Sequence, residues 1–213
     1  MKRVPLKIKF AVLSYSVLTI IFCLSSHAAF AQLLPDISQN RNIVLVGDSH
    51  LSIAPIENLK FQGTITNFAV SGYTTTDVIN ILPAIDAKMG DIAILQIGIN
   101  DIFFGKSIDD TSGNYHSILK TLKSKGLEVI AFAVFPCNDK RYPNLDTAID
   151  SLNQSIKKMS SAVGVTFVNI TEALTINGRL NPANTDDGIH LNNDGYKLWF
   201  QAIEDELKNF PRT

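Results

Sequence analysis

Five short apolar runs, the last four each followed by a stretch of helical periodicity and the first by an irregular stretch or short helix over Leu51–Lys60, constrain this chain more than any other feature. They are Ile43–Val46, Thr64–Val70, Asp91–Ile99, Val129–Phe135 and Val165–Ile170. Ile43–Val46, rich in β-branched residues and bounded by turn signals, reads as a strand buried on both faces, Asp91–Ile99 as another buried strand, and the remaining runs as strands. Between them, Val78, Ile79, Leu82 and Ile85 form one helical stripe despite Pro83. Tyr115, Ile118, Leu119 and Leu122 form a second, over Asn114–Lys125, which Gly126 stops. Ile149, Leu152, Ile156 and Met159 mark a long third helix over Leu145–Val163, and Asn192 is placed to cap a last one that buries Leu198, Trp199 and Ile203. The alternation predicts an α/β fold, a three-layer α/β/α sandwich around a parallel sheet. Five strands suggest the flavodoxin-like order 2-1-3-4-5, with ligands bound outside the carboxyl ends of strands one and three.

Composition narrows the function classes. A chain of 213 residues with no internal repeat is one domain's worth. A net charge of −1, with 18% charged residues, lacks the basic footprint of a nucleic-acid partner. The start reads as a signal peptide over residues 1–31: Lys2, Arg3, Lys7 and Lys9, then an almost wholly apolar Phe10–Leu24, then Ala29-Phe30-Ala31. Cleavage after Ala31 would leave residues 32–213 as the domain, in the periplasm or secreted. An uncleaved membrane anchor is the alternative, although the apolar run is shorter than the roughly 20 residues a span needs. Phe22 is too bulky for a lipoprotein cleavage site before Cys23. Loss of that segment would remove four bases and no acid from 19 bases and 20 acids, leaving a net charge of −5. It would also leave Cys137 as the single cysteine, so stability must come from the core rather than an intrachain disulfide.

Four local signals sit where such a fold would place a site. Gly47-Asp48-Ser49 ends strand one, Gly72 follows strand two, Gly98-Ile99-Asn100-Asp101 follows strand three, and Asp187-Gly188-Ile189-His190 precedes the last helix. Gly47 permits a sharp exit from the strand, and Ser49 is then the first side chain past the sheet edge. Each signal also has a bland reading: Asp48, Ser49 or Asn100 as a helix cap, Gly72 as a turn, His190 as a structural histidine. A serine nucleophile needs a base within hydrogen-bond reach, and that base needs an acceptor on its other nitrogen. His190 can be the base, and Asp186 and Asp187 are both close enough in sequence to be the acceptor.

Taken in order, these blocks resemble the SGNH (GDSL-type) hydrolase family, with Ser49, Gly72, Asn100 and His190 as the block residues. The resemblance runs from Ile43 to the final helix and is especially close from Thr185 to Trp199. It implies a catalytic Ser49–Asp187–His190 triad, since the family's acid stands three positions before its histidine. It also implies an oxyanion hole made of the backbone N–H groups of Ser49 and Gly72 and the Asn100 amide, and no cofactor.

Other candidates carry less. His50 adjoins Ser49 but would not face it, and His116 falls on a helix surface. Cys137 reads as a packed bystander, and Asp48 and Asp101 as braces. Asp186, Asp187 and His190 lack a second histidine at ligand spacing, so no metal is expected. The expected activity is that of an exported serine esterase acting on small-molecule or glycan esters, leaning to short acyl or O-acetyl groups on carbohydrates. Ile102-Phe103-Phe104 argues the other way if it lines a longer acyl groove, as in a lysophospholipase or thioesterase. A non-catalytic binding module is the reading from a different class. No stable membrane insertion after cleavage is expected, and the sequence leaves the oligomeric state open.

Overall fold

A computed structural model of the protein describes residues 41–138 and 145–210. The expected leader, residues 1–31, lies outside the described residues. β1 (Ile43–Gly47) runs straight into a single helical turn, α1 (Ser49–Ser52). Then come β2 (Ile65–Asn67), α2 (Thr75–Ile81), β3 (Ile92–Gln96), α3 (Ile99–Phe103) and α4 (Ile108–Ser124). They are followed by β4 (Glu128–Phe132), α5 (Leu145–Val163), β5 (Thr166–Val168) and α6 (Thr171–Leu174). A hairpin of β6 (Thr175–Ile176) and β7 (Arg179–Leu180) leads to α7 (Asn193–Leu207).

Five strands pair in parallel in the order β2-β1-β3-β4-β5, the flavodoxin-like order that the spacing suggests. Side chains alternate across each strand, so one sheet feeds two cores. Val44, Val46, Leu95 and Val129 pack with Val78, Tyr115, Leu119 and Ile149, contributed by α2, α4 and α5. Ile43, Leu45, Ile94 and Phe132 pack on the other side with Leu51, Leu174, Trp199 and Ile203. Trp199 is fully buried, with the rings of Phe132 and Phe135 edge-on at 5.6 and 5.0 Å.

Several expectations need correction. β2 ends at Asn67 rather than Val70, because the Asn67 side chain accepts from the Ala69 N–H and donates to the Leu51 carbonyl, offering the backbone a turn. α4 starts at Ile108, six residues before Asn114. Ser107 caps it by accepting from the Asp110 N–H at 3.0 Å, and the helix runs on through Gly113. Pro83 turns the end of α2 into a 3₁₀ turn at Leu82–Ala84. Leu198 is 39% exposed, while Tyr196, Trp199, Phe200 and Ile203 face the core. Asn177 and Gly178 both take positive φ, 54° and 75°, as the two-residue turn joining β6 to β7 requires. Gly47 is needed for room: a β-carbon there would stand 2.0 Å from the Gln96 carbonyl oxygen on β3.

Candidate active site

Ser49 is the first residue of α1, at the carboxyl end of a strand held on both sides by β2 and β3. Its N–H belongs to the first turn, where helical amides have no carbonyl partner within the helix. Asp48 caps that turn by accepting from the His50 N–H at 3.2 Å. Asp48 therefore supplies the cap, and Ser49, although buried, keeps 9% of its surface open.

His190 comes from the segment before α7 and reaches Ser49 across 141 positions of sequence. Its Nε2 lies 2.9 Å from Ser49 Oγ, and its Nδ1 lies 2.6 Å from Asp187 Oδ2. A carboxylate only accepts, so Nδ1 carries the proton and the Nε2 lone pair faces the serine hydroxyl. Asp187 Oδ1 also accepts the N–H groups of Ile189 and His190, at 2.8 and 2.7 Å. Burial pushes the Asp187 carboxyl up, but the bonds from the His190 ring and the two amides, with the attraction of His190, outweigh it. They hold the carboxyl at about 2, so it is ionised at neutral pH. Thr185 Oγ1 accepts from the Gly188 N–H at 2.9 Å and lies 3.4 Å from Asp187 Oδ1, steadying the same turn. Asp186, the rival carboxylate, is exposed and sits 3.4 Å from the Asn192 amide.

Gly72 lies on the loop leaving β2, and Asn100 lies in the first turn of α3, which follows β3; β2 and β3 are the two neighbours of β1. Gly72 has φ 86° and open space where a β-carbon would go, so the backbone conformation is what calls for glycine. Asn100 Nδ2 donates to the Tyr73 carbonyl at 2.8 Å, leaving its second amide hydrogen to donate elsewhere. Asp101 is fully buried and accepts from the Thr75 N–H and hydroxyl at 2.8 and 2.7 Å. These bonds tie the Gly72 loop to the turn that carries Asn100 and give Asp101 a bracing position.

Two residues near the site make contacts that a reading of the sequence does not foresee. His50 is fully buried, with Nε2 3.0 Å from the Ile189 carbonyl. Tyr196 on α7 donates its hydroxyl to the His50 carbonyl at 2.8 Å. Burial and the Asp48 and Asp187 carboxylates push the Tyr196 hydroxyl up, so it stays a donor. Of the remaining candidates, His116 is half-buried on α4 and Cys137 is packed in the core beside α5. Ile102 and Phe103 pack against the same core, whereas Phe104 is 68% exposed. Among the described residues, no group of three or more His, Cys, Asp or Glu is arranged to hold a metal ion.

Comparison with known proteins places this geometry. The chain is similar to a GDSL-like lipase from Bacteroides thetaiotaomicron, at 20% identity and a TM-score of 0.73, over 86% of this chain and 95% of that one. It is similar to an acetyl xylan esterase at 17% identity and a TM-score of 0.64, over 78% of this chain and 98% of that one. At such identities the likeness shows the fold. The N-acylneuraminate cytidylyltransferase of Streptococcus agalactiae is 24% identical over 172 residues, covering 78% of this chain. The match takes in 39% of that relative, so the chain corresponds to well under half of its length. Residues 57–198 match the sequence model of the GDSL-like lipase/acylhydrolase family, a span that holds Gly72, Asn100, Asp187 and His190 and begins eight residues after Ser49. With two thirds of its length matched, the chain belongs to the GDSL-like lipase/acylhydrolase family of ester-bond hydrolases.

Proposed function

We propose that the protein is an exported serine esterase that removes short acyl groups, above all O-acetyl, from carbohydrates through an acyl-enzyme. The observation that carries the mechanism is the unbroken series Ser49 Oγ, His190 Nε2, His190 Nδ1, Asp187 Oδ2, with steps of 2.9 and 2.6 Å between residues. His190 takes the hydroxyl proton as Ser49 Oγ attacks the ester carbonyl. Asp187 stabilises the imidazolium that forms. The N–H groups of Ser49 and Gly72 and the Asn100 amide donate to the oxyanion. Collapse of the tetrahedral intermediate breaks the C–O bond, and the leaving alcohol receives the proton from His190. Water then attacks the acyl-Ser49 ester by the same route, releasing the acid and restoring the serine.

The acyl preference rests on the three residues from Ile102 to Phe104, just past Asn100. Ile102 and Phe103 are half-buried against the core and Phe104 is 68% exposed, so Phe104 is the one fully open side chain of that trio. One exposed ring does not make a long apolar groove. The carbohydrate half is supported by the likeness to an acetyl xylan esterase, which acts on an acetylated carbohydrate, and to an N-acylneuraminate cytidylyltransferase, which acts on a sugar. Exposed Phe104 favours a lysophospholipase or thioesterase reading. A panel of acyl esters running from acetyl to long chains, with acetylated sugars included, decides between them. Preference for acetyl esters supports the proposal, and preference for long acyl chains replaces it with the second reading. Export rests on the basic and apolar start and Ala29-Phe30-Ala31. Intact mass of the exported protein should show Gln32 as the first residue, whereas retention of residues 1–31 would mean an anchor.

A further inference from the structure

We propose that His50 is a positioning residue for His190: its Nε2–H holds the Ile189 carbonyl and so fixes the peptide that carries the base. The inference rests on His190 serving as the base. A carbonyl oxygen only accepts, so at 3.0 Å from Ile189 O the His50 Nε2 must carry hydrogen. That oxygen belongs to the peptide bond between Ile189 and His190, whose N–H donates to Asp187 Oδ1 at 2.7 Å. A peptide unit is planar. With its oxygen held by His50 and its N–H held by Asp187, the plane is gripped at both ends. The His190 side chain then needs only the Asp187 Oδ2 bond to aim Nε2 at Ser49.

His50 is equipped for that duty. Its side chain is 1% exposed, so the ring is shielded from water. Its own placement is fixed three ways: by the Asp48 cap on its N–H, by the Tyr196 hydroxyl on its carbonyl, and by the Phe135 ring edge-on at 5.4 Å. The other bonds that orient the base, from Asp187 and Thr185, arise within the same turn. The Asn138 N–H holds Gly188 O at 2.6 Å, one residue farther from the base. His50 therefore links the peptide of the base directly to the residue after the nucleophile, so the two arms share one frame. A displacement of about 1 Å at such a site costs on the order of 10²-fold in rate.

The test compares His50→Phe, which keeps a ring without the donor, with His50→Gln, which restores an N–H donor of similar reach. His50→Met replaces the phenylalanine variant should that fail to fold. For each, kcat and KM on a short-acyl ester are measured, and the proton NMR resonance of the His190 Nδ1–H is recorded. We expect the donor-less variant to lose roughly 10²-fold in kcat at unchanged KM, with that resonance shifted or broadened. His50→Gln should recover most of the kcat and the resonance. A folded donor-less variant with wild-type kcat and an unchanged resonance overturns the proposal, as does a His50→Gln variant no better than the donor-less one. If wild-type protein shows no esterase activity, the catalytic reading fails instead, and the resonance alone then decides whether His50 braces His190.

Discussion

Ser49 and His190, the proposed nucleophile and base, are held in opposite ways. Ser49 is delivered by the fold: β1 is buried along its whole length, paired on both edges, and followed by a turn whose cap, Asp48, has no exposed surface. His190 sits on an irregular segment, with its side chain 33% exposed and the Asp187 side chain 52% exposed. That segment is shaped by short-range bonds from Asp187 and Thr185. The difference teaches that a serine can be aimed chiefly by sheet packing and one helix cap, whereas the proposed base on an irregular segment is aimed by hydrogen bonds. Damage to the first arm should cost stability and activity together, and damage to the second should cost activity with little change in stability.

The largest effects belong to the reacting pair. Ser49→Ala and His190→Ala should each lower turnover by roughly 10⁶-fold, and the double variant should be no worse by more than a few fold, because the two act as one unit. Steady-state kinetics on a short-acyl ester reads this, and a strictly multiplicative double variant would split the pair.

Next comes the carboxylate. Asp187→Asn should lower kcat by about 10⁴-fold with its circular dichroism unchanged, since the amide supports the wrong histidine tautomer. Asp186→Asn should change kcat by no more than about two-fold, in keeping with an exposed polar substitution away from the reacting atoms. Reversal of these two outcomes would assign the role to the wrong acid. Asn100→Ala should cost roughly 10²–10³-fold in kcat with little change in KM, the signature of an oxyanion donor. A change mainly in KM would instead make Asn100 a binding residue.

The smallest effect is on acid stability. Asp187 holds its proton less tightly in the folded chain, at about 2, than the 3.8 of an unperturbed aspartate. Its stabilising contribution is therefore complete above 3.8 and is lost as the pH falls towards 2. The difference in melting temperature between wild type and Asp187→Asn should narrow over that interval. A gap that stays constant as the pH falls through the whole interval would mean that the bonds to Asp187 do not contribute in solution.

The same contrast explains what was legible in the sequence. The strands and most of the helices between them follow from periodicity, because buried strands carry their burial in consecutive residues such as Ile43–Val46, and the order that five such strands suggest is the observed one. Ser49, Gly72, Asn100, Asp187 and His190 stand out because each sits in a short local block, and the structure brings Ser49, His190 and Asp187 into one hydrogen-bonded series. The role of His50 was hidden, since it depends on a carbonyl 139 residues away. The early start of α4 was also missed: Gly113 and the polar residues before it mask the Ser107 cap. Leu198 reads as core by type, yet the helical turn that points Tyr196, Trp199 and Ile203 inward leaves it on the outside.

The central claim is that His190 makes Ser49 the one nucleophile of this protein. Labelling with a fluorophosphonate, followed by intact-mass and peptide-mass measurement, tests it most directly. The account predicts a single adduct on the peptide carrying Ser49, absent from Ser49→Ala and slowed by orders of magnitude in His190→Ala. Folded wild-type protein that takes no label, or takes it on a residue other than Ser49, would contradict it.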